Sequence, residues 1–181
     1  MISRCARRRL VRLAKAMILK RNGRHEESGI SSCFFKISEC WGVKYTRKGS
    51  EYMAETFRRH RIMWRHAVAP FCFGFFSCRL APKFGCEDGR ELHGYIVQLV
   101  DVCSDIARRD RESKIAKMFE DDIYMENCEC LKKIFQKIYK KIKDHANKIW
   151  TDNHWHNFGL LNGKWVVIDW GHESFYGYSH S

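Results

Sequence analysis

Thr151-Asp152-Asn153-His154-Trp155-His156-Asn157-Phe158-Gly159 is followed, after six residues, by Val166-Val167-Ile168-Asp169-Trp170-Gly171. Two short apolar runs, Phe158–Leu161 and Trp165–Ile168, flank Asn162-Gly163. Both residues of that dipeptide accept positive φ, so the spacing predicts a tight antiparallel hairpin. Asp152 then opens a polar loop, Asn157 precedes the first strand and Asp169 ends the second. Two carboxylates and an amide meet at one edge of such a hairpin. Hard oxygen donors of this kind suit Mg²⁺, which takes one or two carboxylates together with substrate phosphates.

Working outward, residues 127–149 carry Leu131, Ile134, Phe135, Ile138, Tyr139, Ile142, Ala146 and Ile149 at helical spacing, with lysines on the other face. The charged stretch 104–120 reads as helix. Residues 4–21 read as a basic helix, or as a helix running into a first strand, with Leu10, Val11, Ala14 and Ile18 at helical spacing. Residues 33–38 and 40–45 read as strands. Residues 50–66 read as a helix, with Tyr52, Thr56, Met63 and Ala67 near one face, Arg58, Arg59 and Arg61 toward solvent, and Ala69-Pro70 closing it. Residues 71–78 and 94–102 read as strands joined through a turn-rich loop at 81–90. The expected class is α+β, a small antiparallel sheet unit followed by a mainly helical one, with a boundary near residue 103.

The Asp-x-His-x-x-Asn loop and the Ile-Asp-Trp-Gly that follows the hairpin resemble the protein-kinase-like superfamily. They look most like its aminoglycoside and choline phosphotransferase branch and its small atypical kinases. The resemblance implies a two-lobed fold: a basic extension at 1–25, an upper lobe at 26–103, and a minimal lower lobe at 104–181. It implies that Asp152 is the catalytic aspartate that orients or deprotonates the acceptor hydroxyl, and that Asn157 and Asp169 hold Mg²⁺. Trp41-Gly42-Val43-Lys44 is similar to the third-strand motif, so Lys44 would meet the α- and β-phosphates of ATP. Glu55 would be its ion-pair partner, with Glu51, one turn earlier, as the competing choice. Ser28-Gly29-Ile30-Ser31-Ser32 takes the place of the phosphate-covering loop, and Gln98 to Val102, including Val100, that of the hinge whose backbone meets adenine. His154 matches the loop histidine, and His156 reads as surface.

Two departures qualify the match. Trp150 stands where many kinases of this fold have histidine, and ten residues follow Gly171, too few for an activation segment and a peptide-docking platform. The expected function is therefore an ATP-dependent phosphotransferase acting on a protein serine or threonine or on a small molecule. One alternative is a pseudokinase acting as a binding module. The other is a basic nucleic-acid-binding module.

The formal net charge of +12 draws polyanions without choosing among nucleic acid, anionic surfaces and nucleotide phosphates. Hydrophobic residues at 45% allow a sizeable core, which argues against global disorder. No uninterrupted apolar stretch reaches the roughly 18 residues of a membrane span. Nine cysteines, with no paired CxxC motifs and mostly apolar neighbours, read as reduced, mostly buried thiols of an intracellular, cytoplasmic protein, or one in host cytoplasm if viral.

Overall fold

A computed structural model describes residues 2–21, 27–28, 33–46, 49–80, 91–119, 129–142 and 157–168. The architecture is α+β with antiparallel sheets. The chain divides into two compact units, Met1–Arg61 with Phe71–Leu99, and Ile62–Pro70 with Val100–Ser181.

The first unit opens with helix α1 (Arg4–Lys20), whose Ser3 hydroxyl accepts the Ala6 N–H at 3.2 Å and so caps one orphan donor of the first turn. Five strands follow: β1 (Glu27–Ser28), β2 (Cys33–Lys36), β3 (Trp41–Thr46), β4 (Cys72–Arg79) and β5 (Glu91–Gln98). They form one antiparallel sheet in the order β1-β2-β3-β5-β4. Helix α2 (Ser50–Arg65) lies in the chain between β3 and β4.

Strand alternation sorts the side chains of this sheet onto two faces. Val43, Tyr45, Leu92 and Ile96 join Ala14 and Ile18 of α1 in one buried cluster. Tyr95 and Val97 join Met53 of α2 in another. The sheet is thus covered by α1 on one face and α2 on the other. Gly74, at φ +67, sits at the irregularity that β4 makes against β5, and an added Cβ there would lie 2.5 Å from Val11 of α1.

Helix α2 differs from its sequence reading. Its sheet-facing side carries Met53, Phe57 and His60, with Phe57 5.1 Å from the Tyr95 ring and His60 bonded to the Tyr95 hydroxyl at 3.1 Å. Tyr52 is only half-buried and Thr56 likewise. Arg59, expected in solvent, keeps 13% of its side chain exposed because it folds back onto Glu55. Ala67 lies beyond the helix at φ +55.

In the second unit, β6 (Asp101–Val102), β7 (Phe158–Leu161) and β8 (Lys164–Val167) form a three-stranded antiparallel sheet in that order. The Asn162-Gly163 turn is as expected, with φ of +51 and +72. The expected strand 94–102 is interrupted instead. Gln98 N–H donates to Phe71 C=O and Leu99 N–H to Cys40 C=O, which ends β5, and Asp101–Val102 pair with β7. The expected helix 104–120 is two short ones, α3 (Cys103–Arg109) and α4 (Lys114–Phe119). Asp110 accepts the Glu112 N–H and the Ser113 hydroxyl accepts the Ala116 N–H, so the chain turns and restarts there. Helix α5 (Glu129–Lys141) and the residue after it turn Ile138 and Ile142 into a core with Met63, Val68, Cys103, Phe158 and Val167, while Lys133, Lys137 and Lys140 stay exposed.

The end of α2 is a Schellman motif: Val68 N–H donates to Met63 C=O and Ala67 N–H to Trp64 C=O, with Met63 and Val68 both fully buried. Ala67 occupies the left-handed position there, which glycine takes without a Cβ penalty. Ala67→Gly is expected to stabilise the protein by about 0.5–1 kcal/mol and raise its Tm by about 2 °C. Gly74→Ala, which combines positive φ with the Val11 contact, is expected to lower stability by about 2 kcal/mol or more in urea unfolding. Equal and small effects of the two substitutions would contradict this backbone assignment.

Candidate functional site

Lys44 lies in the middle of β3 and is half-buried. Its register partners are Phe34 on β2 and Tyr95 on β5, which places all three on the α2 face of the sheet. Gly42, two residues earlier, leaves room for the Phe34 ring: a Cβ there would come within 2.4 Å of it. Tyr95 is buried and held by His60, so α2 and the central strands are tied beside Lys44 by a polar contact as well as an apolar one. Tyr95 carries little signal in the sequence, because Tyr95-Ile96-Val97-Gln98-Leu99-Val100 is a nearly continuous apolar run with no clear alternation. His60 carried no signal of its own.

Glu55 has other partners. Its two carboxylate oxygens accept from Arg58 Nε at 2.7 Å, Arg58 Nη2 at 2.7 Å and Arg59 Nε at 2.7 Å. Hydrogen bonds from Arg58, then from Arg59, and their positive charge outweigh the opposing effect of partial burial. Together they lower its carboxyl from the ordinary 4.5 to about 2. Met53 and Phe57 face the sheet, and helical geometry turns Glu51 and Glu55 roughly 160–200° away from Met53. Glu51 is exposed. A Lys44–Glu55 pair would have to compete with both arginines.

The hinge residues divide in two ways. Gln98 closes β5, whereas Val100 packs on Gly159, where an added Cβ would meet it at 2.6 Å. Val102 pairs with Gly159 and precedes α3. Asn157 is half-buried at the open end of the β7–β8 hairpin, and its carbonyl accepts the Ile168 N–H at 2.8 Å. Asp152, Asp169 and Gly29 to Ser32 lie outside the described residues, as do His154 and His156, and so does the side chain of Ser28. Among the described residues no three histidine, cysteine or acidic side chains group as a metal site.

The cysteines are less buried than their neighbours in sequence suggested. Of the six whose side chains are described, Cys72 and Cys103 are buried and Cys5 and Cys40 are exposed. Burial pushes the Cys72 and Cys103 thiols up to about 12, so both stay protonated and unreactive near neutrality. No helix among the described residues is long and apolar enough to cross a membrane. No family model, no curated protein and no solved structure matches the chain.

Because the folded carboxyl of Glu55 titrates near 2 and the free one near 4.5, its contribution to stability is present above pH 4.5 and is lost as pH falls from there toward 2. Glu55→Gln is expected to lower the urea midpoint at pH 7, with the gap to the parent closing as pH drops through that window. A gap that stays constant down to pH 2 would exclude this ion pair as its source.

Proposed function

We propose that the chain is an ATP-dependent phosphotransferase of kinase type, moving the γ-phosphoryl group of Mg-ATP to a hydroxyl acceptor. The observation that carries the reading is the Ile168 N–H to Asn157 C=O hydrogen bond across the mouth of the β7–β8 hairpin. It fixes Asn157 opposite the residue that directly precedes Asp169, the two positions that would hold the metal. The order of elements adds support. Lys44 stands on the third strand of a five-stranded antiparallel sheet, the next element is a helix, and two further strands follow. This is where a protein kinase carries its phosphate-binding lysine and its first helix.

The donor set fits Mg²⁺: an amide oxygen and one or two carboxylates, all hard ligands. Bound there, the metal would neutralise charge on the β- and γ-phosphates. The Asn157 side-chain oxygen and Asp169 would hold it, and the backbone bond to Ile168 keeps the Asn157 backbone in place. The Lys44 ammonium, on its half-buried stem, neutralises the α- and β-phosphates. Asp152 aligns the acceptor O–H and takes its proton as the acceptor oxygen bonds to the γ-phosphorus. The bond from that phosphorus to the β–γ bridging oxygen breaks, and ADP leaves. Gln98, Val100 and Val102 stand where the resemblance places the adenine, and Ser28 to Ser32 where it places the phosphate cover.

A second reading, a nucleotide-binding protein without transfer, is favoured by one observation. Of the two acids that the resemblance offers as ion-pair partners of Lys44, Glu55 is committed to Arg58 and Arg59, and Glu51 is exposed.

Saturating Mg-ATP, at about a hundred times its Kd, is expected to add about 2.7 kcal/mol and raise the Tm by roughly 5–10 °C. Lys44→Ala and Asp169→Asn should abolish the shift. Asp152→Asn should keep the shift and lose transfer of labelled γ-phosphate. A shift with no transfer by the parent protein selects the second reading. No shift at millimolar Mg-ATP overturns both.

A further inference from the structure

Two groups of arginines in the structure differ in their surroundings. Several of α2 and α3 face carboxylates: Arg58 and Arg59 meet Glu55, Arg108 meets Asp105, and Arg109 meets Asp101. Those of α1 do not. Arg4, Arg7, Arg8, Arg9 and Arg12 fall within nine residues, the first 25 residues contain no acid, and none of the five forms an ion pair among the described residues. An unneutralised cluster of this density on one helix repels itself, and an external polyanion relieves that repulsion.

The cluster also has a shape. Arg7, Arg8 and Arg12 border an open groove of about 350 Å³, with Val11, Phe73 and Gly74 as its apolar floor. Gly74 contributes to this concavity, since any side chain there would run into Val11. The Arg7 guanidinium lies 5.2 Å from the Phe71 ring centre and 5.7 Å from that of Phe73, so it is held against the aromatic edge of the sheet. Its Nε is buried with no hydrogen-bond partner among the described residues. Arg4, Arg8 and Arg12 recur every fourth residue, about 6 Å apart along one side of the helix. That spacing lets three guanidinium forks follow successive phosphates of an extended strand.

We infer that this arginine groove on α1 is a docking surface for single-stranded nucleic acid, with the phosphate backbone along Arg4, Arg8 and Arg12 and a sugar or base face over the apolar floor. A groove that combines cations with an apolar, aromatic base is what sequence-tolerant strand binding needs. An anionic bilayer is the poorer match. Its amphipathic partners insert an apolar helix face, and that face of α1 is spent on the sheet, where Ala14 and Ile18 are fully buried. Of the large apolar side chains of α1, Leu13 and Leu19, 42% and 49% exposed, point outward.

The test uses the full chain, a short fluorescein-labelled oligouridylate read by fluorescence anisotropy, and phosphatidylserine vesicles in a parallel sedimentation assay. The parent should bind the oligonucleotide at low salt, with log K falling linearly in log salt. Arg8→Ala/Arg12→Ala keeps strong helix formers on an exposed face, so the helix should stand, with a Tm within a few degrees of the parent. It should weaken binding by about tenfold or more and reduce the salt slope by about 1.4, near 0.7 for each phosphate that is no longer neutralised. Arg8→Lys/Arg12→Lys should keep most of the slope. Lys137→Ala/Lys140→Ala, on the exposed side of α5, should leave affinity within about twofold. Absence of oligonucleotide binding, an equal loss in the α5 variant, or binding to vesicles but not to the oligonucleotide would each overturn the assignment.

Discussion

The first unit depends on the antiparallel pairing of β3 with β5, which joins Trp41–Thr46 to His93–Gln98 across an intervening helix and strand. One register decides both faces of the sheet, because neighbouring residues on a strand point opposite ways and a slip of one would exchange them. In the register observed, Val43 and Ile96 lie beneath α1, and Lys44 and Tyr95 lie beneath α2. Gly94 is part of the constraint. A Cβ at that position would come within 2.8 Å of the Lys44 carbonyl and 2.9 Å of the Tyr45 side chain, so the two central strands approach closely only with glycine there. The placement of a lysine amid rings follows from this pairing, not from any local property of the third strand.

The second unit rests on smaller devices of the same kind. Asn162 and Gly163 turn the chain through positive φ, and the hydrogen bond from Ile168 to Asn157 closes the far end. Val167 N–H donates to Val68 C=O, which ties the hairpin to the segment that follows α2. That segment is itself set by the Schellman turn at Ala67, so an unfavourable backbone conformation in one residue fixes the bend to which the hairpin is attached. Strain of this sort persists because Met63 and Val68 are fully buried on either side of it.

Charge is distributed with the same economy. Where arginine meets glutamate within a helix turn, as at Glu55, the carboxyl is driven far below its ordinary range and the charge is spent internally. Where no carboxylate among the described residues pairs with the arginines, as along the first half of α1, the charge is left to the surroundings. The formal net charge of +12 is therefore a poor guide to what the surface offers, because it counts both populations alike.

The sequence by itself determined the elements whose cause is local. The hairpin 158–168 was legible because Asn-Gly accepts the φ values of its turn. Helices α1, α2 and α5 were legible because their apolar residues recur with the helical period. It did not determine which side of α2 meets the sheet. Tyr52 and Thr56 share a stripe with Met63, yet Met53, Phe57 and His60 make the contact because Tyr95 across the sheet offers them a ring and a hydroxyl. Nor did it determine the partners of Glu55: the resemblance suggested Lys44, while arginines three and four residues on are always within reach on a helix. The break of the strand 94–102 was likewise decided by tertiary contacts, the Phe71 and Cys40 carbonyls that take the Gln98 and Leu99 N–H groups. Periodicity and turn chemistry are properties of neighbours in the chain and can be read along it. Facing, pairing and neutralisation are properties of neighbours in space, and only the packed sheet and helices supply them.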